Sequence, residues 1–407
     1  MNQKLKRLLQ SLCIVISATA YLTSCGPKTL DPNGKVHLWA PEELEMIYTI
    51  ADAQDGLSLT VITGGESWFS RLKKQDDSLD LVYTAWTHDV SAGHNAGLLL
   101  DITPYLDRIP LVTEVSAAFS TRFLTKAYPQ LLLPAAAYTW GLFYNTEVLA
   151  SHGVEIPASW DDLIDTFELL QSKGTVPIAL GSSLGWPALA WISYLDLRLN
   201  GGTKHSQLFD GTRSFDDHSI QSVYRMLEEW REKEYFNADA SKIGWPASLD
   251  LVRSGQAAYV LMGAFGSTRI TNRDNVAFIR IPAADNDGDS GELAYIEGFS
   301  VAKTARAPEA ALSLAEKYIS AGVMRHTKNE YLIPLLKPGE KHVDQGESIA
   351  AVQFEILNSA DILVPQIDQY VSAQTAYDVN RVLARFFDPK IGMSAEDLAR
   401  LLGKILL

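Results

Sequence analysis

The hydrophobic pattern predicts alternating strands and helices from the start of the folded body. Lys35-Val-His-Leu-Trp-Ala40 alternates as a first strand does, and Pro41-Glu42-Glu43 opens a helix to about Gln54. Leu57–Thr63 reads as a second strand, followed by Gly64-Gly65-Glu66 and a helix to about Lys74. Leu79–Ala85 is a third strand, and Trp86-Thr87-His88-Asp89 opens the next helix. Three strand-then-helix units imply a parallel sheet covered on both faces. Ligands of such sheets bind beyond the carboxyl ends of the strands, which here are Ala40–Glu43, Gly64–Trp68 and Ala85–Asp89. Gly97–Thr103 and a helix after Pro104 complete this part.

The chain then turns on Leu131–Asn145. Two apolar runs, Leu131–Leu133 and Leu142–Tyr144, flank Pro134, three alanines, Tyr138, Trp140 and Gly141. Proline and glycine argue against one continuous central strand. The stretch reads as two strands in line, leaving one sheet and entering another, with Tyr138 and Trp140 at the crossing. Beyond it, Ser159-Trp-Asp-Asp162 forms a capping box for a helix to Lys173. Val176–Leu180 is a strand, Gly181–Gly185 a turn, and Trp186 begins a helix to about Asn200. Helices are expected at Ile220–Lys233, at Ser248–Ser254 and after Gly266, with a strand at Ala257–Met262. Strands at Val276–Ile281 and Glu292–Ala302 could rejoin the first sheet. A helix over Pro308–Ala321 and three more at about 348–359, 373–387 and 395–406, with no strands between those three, close the chain.

The first residues are not fold. Lys4, Lys6 and Arg7 precede an apolar stretch, Leu8–Leu22, too short to span a bilayer. It ends in Leu22-Thr23-Ser24-Cys25, which resembles the bacterial lipobox, where cleavage precedes a cysteine that becomes lipidated. Residues 1–24 are therefore expected to be a signal peptide and 25–34 a linker. Cys13 leaves with the peptide, so the mature chain keeps Cys25 alone and has no disulfide, cysteine–zinc site or cysteine nucleophile. Two acyl chains suffice for stable anchoring. Losing Lys4, Lys6 and Arg7 from 35 basic residues against 49 acidic ones takes the net charge from −14 to −17. A polyanion such as nucleic acid is a poor partner for that balance. At 407 residues and 47% hydrophobic content, two domains are expected.

Three motifs compete for the chemistry. Gly181-Ser-Ser183-Leu-Gly185 matches the nucleophile elbow of serine hydrolases and lies between a strand and a helix, as that motif requires. The downstream histidines, His205, His218, His326 and His342, lack the matching loop context, and no oxyanion segment precedes it. Asp285–Glu292 suggests a calcium loop, but its sixth position is Ser290 and its twelfth Ile296. A solvated turn is the better reading, and no metal or cofactor is expected. Aromatics form the stronger signal. Trp86, Trp140, Trp186, Trp245, Phe265 and Tyr295 fall at strand ends or turns, whereas Trp191 and Trp230 read as core. Ring faces pack the C–H surface of a sugar, and nearby carboxylates accept its hydroxyl protons.

The run Tyr138-Thr-Trp-Gly-Leu-Phe-Tyr-Asn145, with Gly153 and Pro157-Ala-Ser-Trp-Asp-Asp162, is similar to the family-1 extracellular solute-binding proteins of ABC transporters, carbohydrate branch. So are Pro177-Ile-Ala-Leu-Gly181 with Gly185-Trp186-Pro187, Gly255-Gln-Ala-Ala258 with Gly263, and Tyr295-x-x-Gly298-Phe299. One departure is Ala264-Phe265, where the family often carries an acidic or polar residue and then tryptophan. The resemblance implies an α/β, two-lobed periplasmic-binding-protein fold of the type II Venus-flytrap kind, with mixed sheets, hinge strands and C-terminal helices. Residues 35–138 and 280–328 would form one lobe, and 139–279 and 329–407 the other. It implies a monomeric, non-enzymatic, lipid-tethered and extracytoplasmic binder of a sugar or oligosaccharide that delivers its ligand to membrane permease subunits. Trp86, Trp140, Trp186, Phe265 and Tyr295 are the expected stacking surfaces, and Glu43, Glu66 and Glu297 the expected hydroxyl acceptors. A lipid-anchored serine hydrolase using Ser183, or a binder of another solute, is the alternative.

Overall fold

The computed structural model describes residues 34–406, apart from 42–43, 45–46, 75–77, 110–129, 210, 272, 285–290, 322–332 and 335–347. The lipobox with Cys25, Glu43, His326, His342 and most of the acidic loop at 285–292 lie outside the described residues.

The first third follows the expected alternation. The elements are β1 (Gly34–Ala40), α1 (Ile47–Asp52), β2 (Leu57–Thr63), α2 (Trp68–Lys73), β3 (Leu81–Ala85) and α3 (His88–Asn95). β1 pairs in parallel with both β2 and β3. The first helix starts later than Pro41 predicted. The run Gly97–Thr103 contributes one isolated bridge, Leu99 to Ala302, and is followed by a 3-10 turn over Thr103–Arg108.

β4 (Leu133–Asn145) corrects the reading of two strands in line: it is one strand of 13 residues, all buried. Pro134 is tolerated because the register shifts between Pro134 and Ala136, so the missing N–H falls at an irregularity. Gly141 is not a break either. A Cβ there would come within 2.6 Å of the Ile279 carbonyl oxygen, so glycine lets two strands approach closely. What does change along β4 is its partner.

The remaining elements are α4 (Thr146–Ser151), α5 (Trp160–Ser172), β5 (Val176–Ala179), α6 (Trp186–Asn200), α7 (Gly202–Ser206), α8 (His218–Glu232), α9 (Trp245–Arg253), β6 (Ala257–Gly263), β7 (Val276–Ile279), β8 (Gly291–Val301), α10 (Pro308–Ser320), β9 (Ile333–Pro334), α11 (Ile349–Ser359), β10 (Ile362–Val364), α12 (Ile367–Tyr370), α13 (Ala373–Phe386) and α14 (Ala395–Ile405). The helix predicted after Gly266 is a 3-10 turn over Ala264–Arg269.

Up to Thr139, β4 pairs antiparallel with β8, which in turn pairs with β3. From Trp140 onward it pairs antiparallel with β6 and β7 instead. The hydrogen-bonded path therefore runs β2-β1-β3-β8-β4-β6-β5 without a gap, because β4 belongs to both ladders. β8 rejoins the first ladder as expected, but β7 joins the second. β10 is a strand missed between the late helices, and it pairs in parallel with the start of β8. Its three residues, Ile362–Val364, are too few to show a period in sequence.

Local sequence explains the ends of these elements. The Ser159 hydroxyl accepts from the Asp162 N–H, while the Asp162 carboxylate accepts from the Ser159 N–H, the reciprocal capping box the motif predicted. α6 begins at Trp186 after Gly185, whose φ of +80° favours glycine. A Cβ at Gly185 would also meet the Asn380 backbone at 2.2 Å, so this turn is where α13 packs on the start of α6.

Buried charge sits at the junction. Glu292, at the start of β8, is fully buried. It accepts from Arg198 and Arg280, each at 2.6 Å, and from the Tyr194 hydroxyl at 3.1 Å. The last residue of the acidic loop is thus not solvated, because two guanidinium groups claim its carboxylate. A second buried set joins Asp196 to Arg213 through two bonds of 2.8 Å, and to His205 at 2.7 Å. Trp191 and Trp230 are core residues, as read.

Candidate functional site

Side chains alternate across a strand, so residues two apart share a face. Tyr138 and Trp140 therefore project from the same face of β4, and Tyr295 and Glu297 from the same face of β8. Register places Tyr138 opposite Tyr295 and Ala136 opposite Glu297. The four side chains form one patch where β4 exchanges partners.

Rings from three further segments close on this patch. The Tyr138 and Tyr295 rings stack, with centroids 4.8 Å apart at an angle of 19°. Phe265, on the turn after β6, is the hub. Its centroid lies 5.7 Å from Tyr138, 6.0 Å from Trp140, 6.2 Å from Trp186 and 5.2 Å from Trp245. Trp140 and Trp186 meet edge to face at 5.7 Å. Gly263 makes room for this, since a Cβ there would press within 2.6 Å of the Phe265 ring. Of the predicted stacking residues, Trp140, Trp186, Phe265 and Tyr295 are thus brought together. Trp140 is buried, whereas Trp186, Phe265 and Tyr295 are half-exposed.

Glu297 borders the patch and accepts from the Tyr83 hydroxyl at 2.8 Å. Burial and the neighbouring Glu297 push the Tyr83 phenol well above its ordinary range, so it remains a neutral donor. Trp86 follows β3, with its N–H bonded to the Ile296 carbonyl at 2.8 Å, and so reaches the same edge of β8 from the other side. Glu66 stands apart. It is exposed on the loop after β2, ion-paired with Lys74 at 2.6 Å, and its carbonyl accepts from the Trp39 indole at 3.2 Å.

Several residues join the site without having been selected as ligand contacts. Tyr138 and Trp245 belong to the ring cluster, and Tyr83 orients Glu297. On the far side, the Gln366 amide donates to the Trp186 carbonyl at 2.8 Å, tying α12 to the start of α6. The expected crossing signalled Tyr138, and position at a strand end or turn signalled Trp245. Gln366 carries no sequence signal, because its partner lies far along the chain.

Ser183 is exposed, and its backbone N–H is bonded to the Ile243 carbonyl at 3.0 Å. His205 is fully buried, with its ring bonded to Asp196. A separate hollow of about 400 Å³ opens at the amino end of β5, lined by Gln171, Thr175, Arg231, Asn237 and Phe387 among others. It shares no residue with the ring cluster. Among the described residues, no group of three or more His, Cys, Asp or Glu is placed to hold a metal ion, and no helix is long and apolar enough to cross a membrane.

The fold and sequence are similar to known proteins. A solute receptor named AcbH, reported to prefer β-D-galactopyranose exclusively, superposes with a TM-score of 0.78 at 21% identity, over 93% of this chain and 98% of that one. A chitin oligosaccharide binding protein superposes with a TM-score of 0.70 at 17% identity, over 92% and 98%. An ABC transporter extracellular-binding protein of Pyrococcus horikoshii is 29% identical over 125 residues, 30% of this chain and 28% of that one. The matched stretches span less than half the length of the curated relatives. These likenesses establish the two-lobed α/β architecture of solute receptors. The profile of the bacterial extracellular solute-binding proteins matches residues 51–325, about two thirds of the chain, and the protein belongs to that family.

Proposed function

We propose that this protein is the lipid-anchored, substrate-binding component of an ABC importer, and that it captures a sugar or oligosaccharide and delivers it to the permease. The observation that carries the reading is the unbroken run of ring contacts Tyr295–Tyr138–Phe265–Trp140–Trp186 at the point where β4 changes ladders. Aromatic faces next to a carboxylate suit a guest with apolar C–H faces and hydroxyl donors. The sugar ligands named for two structural neighbours point the same way.

In this reading residues 35–138 with 280–328 and residues 139–279 with 329–407 are the lobes. The change of partner between Thr139 and Trp140, and the pairing of β7 with the second half of β4, support those boundaries. Closure is a hinge motion about β4 and β8. The ligand binds better to the closed form and shifts the population toward it. Trp186, Phe265 and Tyr295 stack on the sugar, with Trp140 as their buried backing, and Trp86 closes from the first lobe. Glu297 accepts hydroxyl protons beside the rings, whereas Glu66, ion-paired with Lys74 apart from them, and Glu43 are acceptors proposed from sequence alone. Cys25 carries the acyl chains and keeps the receptor beside an extracytoplasmic membrane face.

A thermal-shift screen over mono- and oligosaccharides tests the reading. A ligand raises stability by RT ln(1 + [L]/Kd), about 2.7 kcal/mol at a hundredfold excess over Kd. A shift of several degrees with at least one sugar is expected. No shift with any sugar, while an amino acid or peptide gives one, overturns it.

A further inference from the structure

β4 has a change of neighbour along each of its two edges. β8 and β6 lie on opposite sides of it. β7 shares Leu142–Tyr144 with β6, and β9 shares Ala136–Ala137 with β8. So β8 and β7 follow one another along one edge, and β9 and β6 along the other. Each edge has a gap at the handover, between Thr139 and Leu142 on the first and between Ala137 and Trp140 on the second. Backbone groups that face a gap have no strand to bond, and buried ones need another partner.

Side chains supply it. The Tyr194 hydroxyl, from α6, donates to the Trp140 carbonyl at 2.8 Å. The Thr139 hydroxyl donates to the Leu293 carbonyl at 2.8 Å. The Thr139 N–H donates to Gln353 Oε1, from α11, at 3.3 Å. A ladder bond fixes two backbones against each other, whereas a side chain can turn about its own bonds and keep its contact while the backbone twists. Gln353 is fully buried, and its oxygen must face the Thr139 N–H, which leaves its Nε2 on the other side of the amide, donating no hydrogen bond. A buried donor without an acceptor carries a desolvation penalty, so this arrangement of the ladders leaves Gln353 half satisfied.

Trp186, Phe265 and Tyr295 are half-exposed in the same arrangement, so it is the form that admits a guest. We propose that Gln353 is a positioning residue for ligand capture. When the ladders turn about Thr139 and Trp140, Oε1 keeps the Thr139 N–H and Nε2 gains a backbone carbonyl, so the buried amide favours the closed form. The inference rests on the hinge reading above and not on the ligand being a sugar. Gln353 touches no ligand and acts through β4. One hydrogen bond made in only one of two states shifts their ratio about fivefold to tenfold, and the apparent Kd by the same factor.

The test is calorimetric titration of the full mature chain and two variants with galactose, glucose, xylose and their oligosaccharides, and with amino acids and short peptides. Small-angle scattering is recorded with and without each solute that binds, and circular dichroism confirms that each variant is folded. Gln353→Met removes the amide at similar volume. Gln353→Glu keeps an acceptor for the Thr139 N–H and removes the donor, and it decides the matter should the methionine variant fail to fold. Each should raise the Kd of every solute that binds wild type by a common factor, about fivefold to tenfold, because closed population is lost and not a contact. An unchanged Kd in a folded variant overturns the proposal, even where the melting temperature falls, since that marks a purely structural role. So does a Kd raised for one solute and not for another, which marks a ligand contact. A bound solute that leaves the radius of gyration of wild type unchanged overturns the hinge reading and the proposal with it. If only amino acids or peptides bind, the sugar reading falls, and the common factor still decides the role of Gln353.

Discussion

The Tyr138 ring lies almost parallel to the Tyr295 ring, 4.8 Å from it, across directly opposed positions of two antiparallel strands. Both strands run through the junction between the ladders. The stacked pair is thus a fixed floor, and Phe265, Trp140 and Trp186 extend it into the second ladder.

Trp186→Ala should weaken sugar binding by roughly 2 kcal/mol, about thirtyfold in Kd, while the chain stays folded. Trp186 is half-exposed at the first position of α6, so its loss removes a ring face and little core. Titration calorimetry with a sugar that binds wild type gives the affinity, and an unchanged Kd would remove Trp186 from the site.

Glu292→Ala should destabilise the chain by about 3 kcal/mol or more. The substitution leaves buried Arg198 and half-buried Arg280 without their shared carboxylate, and an uncompensated buried charge is costly. Urea unfolding followed by tryptophan fluorescence measures it. A loss under about 1 kcal/mol, the usual worth of a surface pair, would show that water reaches the site.

Asp368→Asn should stabilise the protein at neutral pH. The carboxyl has one buried oxygen that accepts no hydrogen bond, and burial raises its pKa to about 6. An unfolded aspartate titrates near about 3.9, so the folded chain holds the proton more tightly. The stability this group confers is complete below about pH 4 and is lost as pH rises through about 6. Asparagine escapes that loss, about 3 kcal/mol by pH 7. Melting temperatures of both forms from pH 4 to 7 should coincide at the acid end and separate on the way up. A constant difference would dispose of the ionisation argument.

Gly185→Ala should lower stability by roughly 2 to 4 kcal/mol and loosen α13 from the start of α6. The residue has φ near +80°, and its Cβ would sit 2.2 Å from the Asn380 carbonyl oxygen. Hydrogen exchange should rise in α13, and a variant with unchanged exchange and melting point would contradict the packing described.

Much of this protein was legible from residue order alone. The strand–helix alternation of β1 to α3, the Ser159–Asp162 capping box and the start of α6 at Trp186 all depend on neighbours within one turn or one strand. Such features follow from period and local hydrogen bonding, which a linear pattern records. The aromatics at strand ends could likewise be picked out as a set. The choice among them was not local. That Trp140 is buried while Trp186 and Tyr295 stay half-exposed depends on which segments close over each ring. The unity of β4 was hidden because proline and glycine break strands on average. Here a register shift absorbs Pro134, and the close approach of β7 requires Gly141. Glu292 read as part of a solvated turn because Arg198 and Arg280 reach it only after α6 and β7 have packed. Asn380 meets Gly185 for the same reason. Contacts between residues far apart in the chain exist only once the fold closes, and the physical penalty for a buried charge or a missing Cβ becomes visible only there.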